Sequence, residues 1–449
     1  MSYMFKKILI ANRGEIAVRI IRACREMGIE TVAIYSEIDK DSLHVEMADE
    51  AICIGPASPK DSYLNIKNIL SSTVLTGAEA IHPGFGFLSE NSKFAHMCRE
   101  CNIVFIGPDS EVIDKMGNKS NARKIMEKAG VPIVPGSKNP IDKNEDALEL
   151  AEKIGYPVMI KASAGGGGRG IRVVKNKNEL IESIDTAKKE ALSAFGDDSM
   201  YMEKYIECPK HVEIQILGDN YGNIVYLGER DCSIQRRNQK ILEEAPCTMI
   251  THNLREEMGE AAVKAAKYVG YKNAGTIEFL LDKHNNFYFM EMNTRIQVEH
   301  PITEFITGVD LIKDQIKIAA GIKLSYSQED INIQGHSIEC RINAEDTLNN
   351  FMPCPGKISG LFVPGGLGVR VDSNIYDGYT IPPTYDSMIA KLIVHGKDRQ
   401  EAINKMKRAL GEFLIDGIKT NIDYHMDILN NKKFISGNYD TGFIGRDHK

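Results

Sequence analysis

Apolar residues recur along the first 115 positions in two alternating patterns. Lys7-Ile8-Leu9-Ile10-Ala11 is a short apolar run of the kind found in a strand buried on both faces. Ile16, Arg19, Ile20, Ala23 and Met27 follow at spacings of three and four, and Gly28 ends the pattern, which predicts a helix over Glu15–Met27. Further strands are predicted at 31–35, 51–54, 80–81 and 103–106, with helices between them. Such alternation predicts an α/β fold with a doubly wound, Rossmann-like parallel sheet. The first strand-to-helix turn, Asn12-Arg13-Gly14-Glu15, holds a single glycine, so the dinucleotide-binding fingerprint is missing where it belongs.

Pro132, Pro135, Gly136 and Pro140 cluster at a boundary. Beyond it a helix is predicted over 145–154. Two strands, Val158–Ala162 and Ile171–Val174, flank a glycine run as a hairpin, which suggests a small inserted domain over 133–205. Strands are then expected at 211–217 and 224–229. A helix over 254–269 has Asn253 and Glu256 in capping-box spacing and Gly270 as its stop. Strands at 276–281 and 286–293 follow. The rest is strand-rich and punctuated by Pro and Gly, with a last helix over 399–413.

Composition narrows the function. With 55 Lys+Arg against 62 Asp+Glu, the 449-residue chain has a net charge of −7, which disfavours nucleic acid as a partner. No apolar run approaches the roughly 18 residues that span a bilayer, and the N-terminus does not read as a signal peptide. The nine cysteines read as reduced thiols. A cytoplasmic location without membrane or nucleic-acid partners is expected.

The candidate chemistry lies in three places. Lys161-Ala162-Ser163-Ala164 leads into Gly165-Gly166-Gly167-Gly168-Arg169-Gly170. Such a run suits a mobile loop whose N–H groups approach phosphate, with Lys161 as a nearby cation, and it equally suits a plain flexible turn. Residues 287–299 alternate so that Phe287, Phe289, Glu291, Asn293, Arg295, Gln297 and Glu299 would share one face of an extended chain. Glu278, alone among apolar neighbours, would meet Glu291 across adjacent strands. Two desolvated carboxylates call for a cation, Mg2+ or Mn2+, although a solvated sheet face would need none. Arg341, between strand-like residues, requires an anionic partner. The run Asp231–Lys240 reads most simply as a solvated charged stretch, and Arg295 has Glu299 within reach as a partner. Cys98 and Cys101 form a lone C-x-x-C that fits helix packing better than zinc.

Together these segments resemble the ATP-grasp enzymes, and more narrowly biotin carboxylase. The resemblance rests on Ile10-Ala11-Asn12-Arg13-Gly14-Glu15-Ile16-Ala17, His82-Pro83-Gly84-Phe85-Gly86-Phe87-Leu88-Ser89-Glu90-Asn91, the glycine loop, Glu291 through Pro301, and Arg341 through Asp346. It implies an ATP-grasp fold with an N-terminal Rossmann-like domain (1–114), a linker (115–132), a glycine-loop lid domain (133–205) and a C-terminal mixed β-sheet region (206–449). It implies ATP- and Mg2+- or Mn2+-dependent carboxylation of biotin by bicarbonate, as the first half-reaction of acetyl-CoA carboxylase in fatty acid synthesis. The alternative is the corresponding component of a pyruvate or other acyl-CoA carboxylase. By the same resemblance Lys119, Lys161, Gly166, Gly167, Gly168, Glu203, Lys204, Ile206, His211, Gln235, Asn238, Glu278 and Leu280 surround the nucleotide. Glu278, Glu291 and Asn293 take the metal. Lys240, Arg295, Gln297, Val298, Glu299, Arg341 and Phe85 face bicarbonate and biotin. Glu299 is the base, Arg341 stabilises the biotin enolate, and Arg295 and Lys240 join them as catalytic residues. Asn238 and Phe85 stand where many members have His and Tyr. The resemblance also implies a homodimer that works with a biotin carboxyl carrier protein and carboxyltransferase subunits. The chain ends without a biotinyl Met-Lys-Met motif, which suggests a free-standing subunit.

Overall fold

The computed structural model describes residues 4–141, 143–162, 171–195 and 198–448. The chain divides into two units. One comprises 1–131, 210–279 and 291–449, and the other comprises 132–209 and 280–290.

The first unit opens with β1 (Lys7–Ile10), β2 (Glu30–Ser36), β3 (Glu50–Gly55), β4 (Ala80–His82) and β5 (Val104–Phe105). They form a sheet in the order β3-β2-β1-β4-β5, parallel throughout. β1 takes the centre because both its faces are apolar: Ile8 and Ile10 turn to one core, Leu9 to the other. The helix after β1 spans Gly14–Glu26. Asn12 Nδ2 donates to the carbonyls of Pro83 and Phe85, each at 2.7 Å. Gly84 between them has φ +61°, and a Cβ there would lie 2.9 Å from Asn12 Nδ2, so the turn requires glycine. Two of the sequence motifs thus pack on each other.

The second unit holds β6 (Val158–Ala162), β7 (Ile171–Val174) and β8 (Met200–Lys204), in the order β7-β6-β8. Both pairings are antiparallel, so the predicted hairpin is present. The helix Lys177–Phe195 buries Leu180, Ile184, Ala187 and Ala191 at helical spacing against Val158, Ile160, Met200 and Met202.

The remaining strands build a larger sheet from β9 (Lys210–Gly218), β10 (Ile224–Arg236), β11 (Gln239–Ala245), β12 (Asn273–Leu281), β13 (Phe287–Asn293), β14 (His336–Asn343), Val369–Ser373 and Met388–Gly396. Its order is β13-β12-β9-β10-β11-β14, then Met388–Gly396, then Val369–Ser373. A mixed sheet is the sequence expectation, but from β9 outward the pairings are antiparallel. Short turns join β9 to β10 and β10 to β11, and a parallel pair would need a long crossover. The helix Arg399–Glu412 covers this sheet with Ala402, Ile403, Met406, Ala409 and Leu410.

Three expectations need correction. The strand predicted to stop at 229 continues to Arg236, so the charged run is only partly solvated: Asp231 is buried, as are Glu243 and Glu244 just beyond the run, while Arg237, Asn238 and Gln239 are exposed at the turn. The helix His252–Val269 is capped by Thr251, whose side chain accepts from Leu254 N, and not by Asn253. The alternating strand ends at Asn293. Residues 294–299 leave the sheet and lead into the helix His300–Thr307, with Glu299 as its N-cap. Among the described residues, no helix is long and apolar enough to cross a membrane.

Candidate active site

Four neighbouring strands and one turn converge on Lys240. Alternation along β9 puts His211, Glu213 and Gln215 on one face, β10 supplies Arg230 and Cys232, β11 supplies Lys240 and β12 supplies Glu278. Lys240 Nζ donates to Glu213 Oε2 at 2.6 Å, Glu299 Oε1 at 2.7 Å and Glu278 Oε1 at 2.9 Å. Its three ammonium protons are matched by three carboxylates. Burial would discharge the ammonium, but these carboxylates hold its pKa well above the ordinary lysine value.

Glu299 is buried. Arg341 NH2 lies 3.0 Å from Glu299 Oε2, and Arg341 Nε donates to Glu243 Oε1 at 2.7 Å. The anionic partner that Arg341 requires is therefore a pair of acids. Burial alone would protonate Glu299; Lys240, Arg341 and Arg230 reverse this and hold it well below the usual carboxylate range. Glu243 is pushed up to about 7, chiefly by burial, which Arg341 offsets in part. Cys232 Sγ stands 3.8 Å from Glu299 Oε1.

Beneath this cluster Arg230 is fully buried and uses all five of its N–H donors. They reach Glu213, Gln215, Thr303, Thr276 and Gln297. Gln297 in turn donates to Glu278 Oε1 at 2.8 Å, as does Asn293 Nδ2 at 2.9 Å. His211 Nε2 lies 2.9 Å from Glu278 Oε2, and its Nδ1 lies 2.6 Å from Gln235 Nε2. Burial opposes the charge of Glu278, yet Lys240 and His211 keep its pKa well below normal.

The structure brings together Lys240, Glu278, Asn293, Gln297, Glu299, Arg341, His211 and Gln235 from the sequence set. Glu291 lies on the neighbouring strand and pairs with Lys119 at 2.8 Å. Arg295 does not pair with Glu299: its Nε donates to Glu90 Oε2 and its NH2 to Asn293 Oδ1, both at 2.9 Å, because the chain has left the strand at that point. Phe85 packs against the core of the parallel sheet, and its carbonyl is held by Asn12. Asn238, with φ +64°, forms with Arg237 the two-residue turn between β10 and β11, a backbone that Asn adopts readily.

In the second unit Lys161 pairs with Glu203. Lys204 Nζ donates to the carbonyls of Gly155 and Tyr156, each at 2.9 Å. Ile206 follows β8, and Leu280 belongs to the part of β12 that groups with this unit. Gly166, Gly167 and Gly168 lie outside the described residues. Sequence reasoning missed Glu213, Arg230, Glu243 and Glu90. The His-Val-Glu-Ile-Gln alternation of 211–215 is the kind of signal read over 287–299 and could have found Glu213.

Carboxylate oxygens on adjacent strands are hard donors that suit Mg2+, and among the described residues the buried anion of Glu278 accepts from N–H groups of Lys240, Asn293 and Gln297.

Three family models match in order along the chain. They are the biotin carboxylase N-terminal domain over 4–113, the ATP-binding domain of the carbamoyl-phosphate synthase L chain over 118–327, and the biotin carboxylase C-terminal domain over 339–446. Biotin carboxylase 1 of Bacillus subtilis is 62% identical over 442 residues, covering 98% of each chain. The biotin carboxylase of Haemophilus influenzae is 56% identical over 442 residues, again covering 98% of each chain. The biotin carboxylase domain dimer of Hydrogenobacter thermophilus 2-oxoglutarate carboxylase, solved with MgADP, ADP and bicarbonate, superposes with a TM-score of 0.89 at 54% identity, covering 98% of this chain and 97% of that chain. The fold is thus that of an ATP-grasp ligase. The chain belongs to the biotin carboxylase family.

Proposed function

We propose that Glu299, held between Lys240 and Arg341, is the base that activates bicarbonate in an ATP-dependent carboxylation of biotin. The observation that carries this reading is the Glu299 carboxylate, buried yet charged and bound by a lysine and an arginine. A base kept ionised out of water can take the bicarbonate proton without first losing one of its own.

Bicarbonate oxygen attacks the γ-phosphorus of ATP, and the bond to ADP breaks. The resulting carboxyphosphate yields carbon dioxide and phosphate. Phosphate removes the ureido proton of biotin, and the ring nitrogen captures carbon dioxide. Arg341 is placed to stabilise the biotin enolate, and Lys240 with Arg295 and Gln297 to seat bicarbonate. A fixed cation at a forming oxyanion contributes about 10²–10³ in rate. Glu278 and Glu291, with Asn293 near them, would hold Mg2+ or Mn2+, which supplies neutralisation of phosphate charge when bound. His211, Gln235, Lys119 and Lys161 suit the nucleotide phosphates and ribose. Glu203, Lys204, Ile206 and Leu280 suit the adenine, and Gly166, Gly167 and Gly168 are assigned to the nucleotide by the family resemblance alone.

The acceptor of the carboxyl group is expected to be acetyl-CoA, through a biotinyl carrier protein and carboxyltransferase subunits, with the chain working as a homodimer in the cytoplasm. The test of the core reading is ADP release in bicarbonate buffer with and without free biotin. Biotin-stimulated release is expected, and identical rates with and without biotin would overturn it.

A further inference from the structure

Lys391 is a lysine with no exposed surface, lying on the strand Met388–Gly396. An ammonium there is costly unless it is matched by acids and hydrogen bonds. Its Nζ donates to the main-chain carbonyl of Val298 at 2.9 Å. Glu15 Oε2 stands 3.1 Å away and Asp372 Oδ2 3.9 Å away. The other charged or titratable groups facing it are Glu339, Arg370 and His300. Burial disfavours the charge, but Glu15, Glu339 and Asp372 together keep the pKa above the ordinary lysine value.

The register explains why this lysine bears on the site. Arg341 pairs with Lys391, and Lys391 pairs with Asp372, so the three residues form one rung across three strands. Side chains on one rung share a face. Arg341 holds the carboxylate of Glu299, and Lys391 holds the carbonyl of the residue before it. After Asn293 the chain has left the sheet, so no strand ladder fixes the peptide between Val298 and Glu299.

We propose that Lys391 is a positioning residue: by anchoring the Val298 carbonyl it sets the direction from which the Glu299 side chain enters the buried cluster. Glu15 is its counter-ion and makes that anchor tolerable in the core. The role rests on Glu299 being the base, as inferred above. A shift of about 1 Å in such a group can cost on the order of 10²-fold in rate.

The test compares wild type, K391M and the double variant K391M/E15Q. K391M leaves the buried Glu15 carboxyl without its cation and is expected to melt at lower temperature, whereas the double variant replaces that carboxyl by a neutral amide and recovers much of the loss. ATP affinity, measured by direct binding, is expected to stay within about twofold in both. The kcat of biotin-dependent ADP release is expected to fall about 10-fold or more in both. Failure of the double variant to regain kcat while regaining thermal stability separates positioning from mere folding. Recovery of kcat together with stability would overturn the role, as would a K391M kcat within twofold of wild type. A wild type without biotin-stimulated release would instead overturn the underlying reading, and the Lys391 role with it.

Discussion

Glu299 is charged in a place where a lone carboxylate would be neutral, because Lys240 and Arg341 hold one oxygen each. Glu299→Gln keeps the shape and removes the basic site. The variant is expected to bind ATP within about twofold of wild type and to lose biotin-dependent turnover by at least about 10²-fold; calorimetric titration and steady-state ADP release check the two parts. Glu243, on the other side of Arg341, behaves in the opposite sense. Its folded-state pKa of about 7 exceeds its ordinary value of 4.5. The folded chain therefore keeps a proton that the unfolded chain releases, and the stability this contributes is full below pH 4.5 and lost as pH rises through about 7. Glu243→Gln cannot titrate. The melting temperature of the variant minus that of wild type is thus expected to rise between pH 5 and 8, and a flat difference would remove Glu243 from this role.

At the level of elements, Thr251→Ala is expected to cost about 1 kcal/mol through loss of the cap on Leu254 N, and Asn253→Ala much less. Urea unfolding of the two variants decides which residue starts the helix. The case also shows what the sequence could convey. Gly270 was readable as a stop because a left-handed residue there favours glycine whatever surrounds it, whereas Thr251 and Asn253 differ only in where the backbone enters the helix. The parallel sheet and the β6–β7 hairpin were legible from local apolar runs. The course of β10 beyond Glu229 was not, since the acids there are tolerable in a sheet through their partners, Lys210 and Ser233 for Asp231 and Arg341 for the neighbouring Glu243, of which Lys210 and Arg341 are distant in sequence. Arg295 misled for a related reason. Alternation assigns it a face only while the chain stays extended, and the strand ends two residues earlier. The members of the cluster could be named from sequence, but not their pairing with Glu213, Arg230 and Glu243.

Across the whole molecule none of the nine cysteines is bridged; Cys24, Cys98, Cys232, Cys247 and Cys340 are buried, and Cys53, Cys101 and Cys208 are exposed. Dithiothreitol is accordingly expected to leave the melting temperature unchanged. A chromogenic thiol reagent should react quickly with the exposed thiols of the native protein and with the buried ones only after denaturation; a reductant-dependent melt would contradict this arrangement. The order in which the chain is made bears on the cluster as well. Arg341 serves two acids, Glu243 and Glu299, that precede it by 98 and 42 positions. A ribosome delivers those acids before their guanidinium partner, and Lys391 later still. Until Arg341 emerges, Glu243 lacks its guanidinium and Glu299 has only one of the two cations that bind its oxygens, Lys240. Completion of the cluster is therefore expected late in biosynthesis, and fragments released before Arg341 are expected to be inert however well their N-terminal sheet has formed.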